Sequence, residues 1–86
     1  MTPRVLNKRY DEIPPDAVYV GRPSKWGNPY RMGKGFTRQQ VIRRFRDELS
    51  LEMRRDAIEE LRGKDLVCWC APLPCHGDVL LEIANG

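Results

Sequence analysis

Two short apolar runs bracket most of this chain: Ala17-Val18-Tyr19-Val20 and Leu66-Val67-Cys68-Trp69-Cys70. Both are rich in residues that suit a buried, pleated strand. Gly21 closes the first, and Pro72 and Pro74 forbid continuation of the second, because proline offers no amide to a ladder. Helical periodicity fills the space between them. Thr37-Arg38-Gln39-Gln40 has the form of a capping box, and Val41, Ile42, Phe45 and Leu49 recur at the spacing of one helix face. Ser50 is a second cap. Leu51, Ala57, Ile58 and Leu61 carry the pattern on to Gly63, as a second helix or as a bent extension of the first. A last helix runs from Cys75, with Val79, Leu80, Ile83 and Ala84 facing inward and Asn85-Gly86 at its end.

A strand, a long helical crossover and a second strand join most readily in parallel, through a right-handed connection. The pattern therefore predicts a compact α/β domain with a short, mostly parallel sheet and about three helices. At 86 residues there is room for one core only. Residues 17–86 read as that core, and 1–16 as an N-terminal arm or edge strand, with Val5-Leu6 as its pairing segment. In parallel sheets, ligands sit beyond the carboxyl ends of the strands. Two loops would meet there: Gly21 to Phe36, and Ala71 to His76.

Charge and composition narrow the function classes. With 15 basic and 12 acidic residues the net charge is +3, which permits phosphate contact without demanding nucleic acid. No apolar run approaches a membrane span, and Met1-Thr2-Pro3-Arg4 lacks the apolar segment of a signal peptide, so a cytoplasmic location without membrane association is expected. An odd number of cysteines, three, argues against a disulfide framework.

Those three cysteines and the one histidine all fall between positions 68 and 76: Cys68, Cys70, Cys75 and His76. Three thiolates and an imidazole would complete a tetrahedral zinc shell. The spacing is awkward, since Cα atoms of an extended C-x-C lie about 6.5 Å apart and neighbouring helical residues diverge by about 100°. A second reading makes Cys75 a reactive thiol, activated by a helix N-terminus, with Cys70 as a resolving partner and Asp78 as a further candidate catalytic group. His76 is badly placed as its base, because adjacent helical residues do not face each other. In the third reading the cysteines are core and His76 and Asp78 serve the helix start.

The other constellation is Gly21-Arg22-Pro23-Ser24-Lys25-Trp26-Gly27-Asn28-Pro29-Tyr30. Arg22 and Lys25 suit anions, Ser24 and Asn28 polar recognition, and Trp26 and Tyr30 stacking on a ring. It is neither a phosphate-binding P-loop nor a dinucleotide glycine fingerprint. The alternative is a structural loop in which Trp26 plugs the core and Asn28 bonds backbone. Arg38, Arg43, Arg44, Arg46, Arg54 and Arg55 are interleaved with Glu48, Glu52, Asp56, Glu59 and Glu60, which suits a solvated face better than a nucleic-acid surface.

The segments from Val18 to Tyr30, from Leu61 to Leu66, and Cys68-Trp69-Cys70-Ala71-Pro72 with Cys75-His76-Gly77-Asp78-Val79-Leu80 resemble the domain of unknown function 4326 family. The resemblance covers the chain from about Val18 to Asn85. It implies a small phage or bacterial protein, acting in the host cytosol if phage-encoded, and makes the glycine loop and the cysteine–histidine segment its two signatures. The residues themselves lead to the expectation of one pocket for an anionic, nucleotide-like small molecule, with or without zinc. Arg22, Ser24, Lys25, Trp26 and Asn28 would form one side, and Cys70, Cys75, His76 and Asp78 the other. A metal-stapled nucleic-acid-binding module and a phage-type module that docks on a host protein are the alternatives.

Overall fold

The structure, a computed structural model, describes residues 3–30, 32–33 and 35–86. Met1 and Thr2 of the expected arm, and Arg31 and Lys34 of the expected Gly21–Phe36 loop, lie outside the described residues. The elements follow in the order β1 (Val5–Asn7), β2 (Val18–Tyr19), α1 (Arg38–Glu48), α2 (Leu51–Leu61), β3 (Leu66–Cys68) and α3 (His76–Asn85). The sheet is parallel throughout, in the order β1-β3-β2. Val5 pairs with Leu66 on one side of β3, and Val18 pairs with Leu66 on the other. The central place of β3 accounts for its unbroken apolar run, since Leu66, Val67 and Cys68 are all buried. This is the small α/β domain that the order of apolar and helical segments predicts.

Val5-Leu6 is the expected edge strand, and its tether is strong. Leu66 N donates to Arg4 O, Arg4 N donates to Asp65 Oδ1, and Lys8 N donates to Cys68 O. The sheet's helix-bearing face and the helices share one core. Val20, Leu66 and Cys68 meet Phe45 of α1, Ala57 and Leu61 of α2, and Val79, Leu80 and Ala84 of α3. Leu61, Leu66 and Leu80 are fully buried, and each such leucine stabilises the fold by roughly 1.5–3 kcal/mol.

The caps are as the sequence predicts, with one exception. Thr37 and Gln40 form the capping box of α1, and Ser50 accepts from Met53 N at the start of α2. The helical stretch is thus two helices. At their junction Arg54 reaches back to α1, with Nε donating to Leu49 O (3.2 Å) and a terminal nitrogen to Arg46 O. That satisfies carbonyls that the end of α1 leaves without helical partners. Gly63, at φ 77°, ends α2 in a conformation that a side chain disfavours. The exception is Cys75, which is expected as helical and instead caps α3 from an extended conformation (φ −151°, ψ 174°). Its sulfur accepts from Gly77 N, and Asp78 Oδ2 accepts from Cys75 N at 2.9 Å, a capping box with a thiol in the place of a hydroxyl. Ile58 is half exposed and Leu51 largely so, because α2 turns the row Met53, Ala57 and Leu61 inward.

Candidate functional site: a thiol-floored cleft at the strand ends

The strand expected over Leu66–Cys70 stops at Cys68, where the chain turns. Leu73 N donates to Cys70 O (2.8 Å) around a cis Ala71–Pro72 bond. Beyond β2 the same device appears: Ser24 N donates to Gly21 O (2.9 Å) around a cis Arg22–Pro23 bond. Both are turns with cis-proline in the third position. Two neighbouring parallel strands thus end in matching turns, and the loops that follow leave the sheet at the same end.

A cleft of about 240 Å³ lies between them. Gly21, Arg22, Asn28 and Tyr30 line it from the glycine loop, and Cys68, Trp69, Cys70, Cys75 and His76 from the other. Tyr19 of β2 and Arg38, Val41 and Ile42 of α1 also line it. Arg38 is held to the opposite loop by its bond to Pro74 O (3.0 Å). Two guanidiniums, at Arg22 and Arg38, therefore stand in a cleft that also carries Tyr19, Tyr30 and Trp69.

On the cysteine side, Cys68 and Cys75 Sγ atoms are 3.2 Å apart and buried. Backbone amides reach each of them: Cys70 N to Cys68 Sγ (3.4 Å) and Gly77 N to Cys75 Sγ (3.3 Å). The hydrogen bond from the Cys75 thiol pulls the Cys68 thiol below its ordinary value, with help from the Cys70 and Ala71 amides, and pushes Cys75 up. The two thiols titrate as a coupled pair, with Cys68 the more acidic of the two. Cys70 is half-buried on the same wall.

His76 Nε2 lies 2.6 Å from Val20 O. A carbonyl only accepts, so this contact assigns the proton to Nε2. Burial holds the His76 ring below its ordinary value, and the nearby Arg22 charge adds to that, so it is neutral near pH 7. Its ring also sits edge-on to Phe45. Among the described residues, the cysteines, His76 and Asp78 do not converge as three or more ligands around one point. Binding zinc through Nε2 would break the bond to Val20.

The remaining expected site residues are distributed as follows. Trp26 is buried in the core cluster. Lys25 stacks over the Trp26 ring and bonds Glu60 (2.8 Å) and Asp56 (3.5 Å), which pins the glycine loop to α2. Ser24 takes part in the turn, its Oγ accepting from Trp26 N. None of these three lines the cleft. Asn28 does, while donating to Val41 O (3.1 Å) and accepting from Tyr30 N (2.9 Å). Asp78 is engaged with the start of α3. Of the helical arginines, Arg44 pairs with Glu48 and Arg46 with Glu82.

Sequence reasoning missed three contributors. Arg38 looked like a member of a solvated basic face. Tyr19 looked like a buried strand residue, yet its hydroxyl donates to Arg22 O and accepts from Trp69 Nε1, tying the two loops together. Asn7 carried no signal except as a polar residue beside an apolar pair. It is buried, and its Nδ2 donates to Trp69 O (3.1 Å) and Ala71 O (2.8 Å), which fixes the course of the cysteine loop.

These features define a small parallel α/β domain with a cationic, aromatic cleft beyond its strand ends. The chain belongs to the family described as domain of unknown function (DUF4326), whose model matches residues 4–86. That match extends the resemblance back through β1. The chain is also similar to an uncharacterized 12.4 kDa protein in the nrdA-td intergenic region of Enterobacteria phage T4. They are 34% identical over 87 residues, spanning 95% of this chain and 77% of the phage protein. No solved structure matches. No helix among the described residues is long and apolar enough to cross a membrane.

Proposed function

We propose that this protein binds a small anionic ligand of the mononucleotide type in the cleft between the Gly21–Tyr30 loop and the Cys68–His76 segment. One observation carries the reading: Arg22 and Arg38 stand in the same cleft as Tyr19, Tyr30 and Trp69, at the carboxyl ends of parallel strands. Guanidiniums suit the planar, bidentate demands of phosphate, and aromatic faces suit a base. Size sets the ligand class. At about 240 Å³ the cleft is smaller than the roughly 300–1,000 Å³ that encloses drug-sized molecules. A cleft of this size suits a mononucleotide with one end exposed better than a dinucleotide.

The test is titration of the isotope-labelled protein with AMP, with adenosine and inorganic phosphate as separate arms. AMP is expected to shift the amides of residues 19–22 and 69–76, and phosphate alone a subset of them. Arg22→Ala and Arg38→Ala should each weaken AMP binding by about ten-fold or more, the worth of a charge-assisted hydrogen bond. Shifts confined to α1 and α2, obtained with a single-stranded oligonucleotide and not with AMP, would replace this reading with the nucleic-acid one. Affinity unchanged in both variants would remove its basis.

A further inference from the structure

The cysteine cluster contains a relationship that the ligand reading does not use. Cys68 ends the central strand and Cys75 caps α3, and their sulfurs are 3.2 Å apart across the turn between them. Both are buried from bulk solvent, yet both line the cleft, which gives a small reagent a route to them. We propose that Cys68 and Cys75 form a dithiol site that is oxidised to an intramolecular disulfide by a peroxide admitted through the cleft.

Three further observations support the site. A backbone amide is directed at each sulfur, Cys70 N at Cys68 and Gly77 N at Cys75, and such donors stabilise a sulfur that carries negative charge. The two sulfurs also share a hydrogen bond, and donation from the Cys75 thiol favours negative charge on Cys68, which makes Cys68 the better nucleophile of the two. The clamp of Asn7 on Trp69 and Ala71 holds one end of the short loop, and the bonds of Arg38 to Pro74 O and of Cys75 N to Asp78 hold the other, so the two sulfurs are already neighbours before any reaction. Such pre-positioning favours closure of this bond over one to another chain.

The step balances. The Cys68 thiolate attacks one oxygen of the peroxide, the O–O bond breaks, and Cys68 becomes a sulfenic acid. The departing oxygen takes up a proton and leaves as an alcohol, or as water from hydrogen peroxide. Cys75 sulfur then attacks the Cys68 sulfur, forms the S–S bond and releases the sulfenic oxygen as water. In sum, two thiols and hydrogen peroxide give one disulfide and two waters. The sulfurs lose two electrons and the peroxide gains them. Cys70, half-buried on the same wall, is not part of the bond.

The inference does not depend on what the cleft binds. It is tested on the full native chain with hydrogen peroxide at stoichiometric amounts. Remaining thiols are then blocked by alkylation under denaturing conditions, and the products are read by intact mass and peptide mapping. The expected result is loss of two hydrogens per chain, one alkylated cysteine at Cys70, and a cross-linked peptide joining Cys68 to Cys75 that dithiothreitol reverses. Cys70→Ser should leave that product unchanged, and Cys68→Ser should abolish it. The mapping of the unsubstituted protein decides the matter even if Cys68→Ser does not fold. A disulfide that includes Cys70, a bond between chains, three unreacted thiols, or a zinc ion holding the thiols in the natively purified protein would each overturn the proposal.

Discussion

Replacing Asn7 tests most directly whether the cleft is a built feature. Its side chain is buried at 6% exposure and donates to two carbonyls, Trp69 O and Ala71 O, in the loop that carries the cysteines. It also accepts from Arg9 N. Asn7→Ala removes the donors and leaves those carbonyls without them. A buried acceptor deprived of its partner costs about 1–3 kcal/mol. The bond to Ala71 is fully buried and the one to Trp69 partly so, hence a loss of about 2–4 kcal/mol is expected. In a domain of this size that lowers the melting temperature by about 10–25 °C. Asn7→Asp preserves the shape but sets a carboxylate against the two carbonyl oxygens, so its pKa must rise. A raised acid is favourable below its unfolded value of about 3.9 and loses that advantage as pH rises through the folded value. The aspartate variant should therefore be the less stable of the two at pH 7, and should recover relative to alanine on acidification. The assay is urea unfolding at pH 7 and pH 4, followed by tryptophan fluorescence. An alanine variant within about 0.5 kcal/mol of the parent, or an aspartate variant as stable as the parent at pH 7, would refute the reasoning.

Two other predictions follow from the same geometry. Burial holds His76 below its ordinary pKa, so the folded state resists protonation that the unfolded chain accepts. Stability is then retained at neutral pH and declines as pH falls through about 6.5 toward the lower folded value, by at most about 1.4 kcal/mol per pH unit from this group. Urea midpoints at pH 7.5 and 5.5 should differ less in His76→Gln than in the parent, and an equal difference in both would exclude His76 as the cause. Gly63 sits at φ 77° with open space where a side chain would go, so Gly63→Ala meets no clash, only backbone strain. A loss of about 1 kcal/mol is expected by thermal melting, with Gly63→Asn losing less. Alanine melting at the parent's temperature would contradict the left-handed cap.

The fold was legible because its punctuation is local. Thr37 with Gln40, Ser50, Gly63 and the prolines after Cys70 each act within a few residues, so their effect can be read without knowing the tertiary structure. The parallel pairing of β2 with β3 followed from the length of the crossover alone. The site was legible only in its location. The two loops meet as the strand order requires, but which side chains enter the cleft depends on turns of three-dimensional origin. Trp26 and Lys25 carry obvious ligand chemistry, and the structure directs them to the core and to α2. Arg38 resembled five other arginines, and only its position at the first turn of α1 beside Pro74 sets it apart. Cys75 as a helix cap was hidden because a thiol is a poor relative of the hydroxyls that usually serve there. Asn7 lies more than sixty residues from the carbonyls it holds, a separation at which no pattern in a single sequence speaks.

The histidine shows how the cluster resolves into separate tasks. Val20 N still donates to Val67 O, so the β2–β3 ladder continues one residue past Tyr19. There the ladder stops, and Val20 O, in a fully buried residue, needs a donor. His76, at the first position of α3, supplies it. The same residue therefore joins the end of one strand to the start of the last helix, on top of Phe45. Its neighbour Cys75 fixes that helix start through Gly77 N and Asp78. Nε2 is thus committed to Val20 and one Asp78 oxygen to the cap, so both residues help to position the wall. The sulfurs of Cys68 and Cys75 also serve the fold as acceptors of backbone amides, but they meet each other at 3.2 Å on the cleft wall, a contact that chain geometry alone does not require.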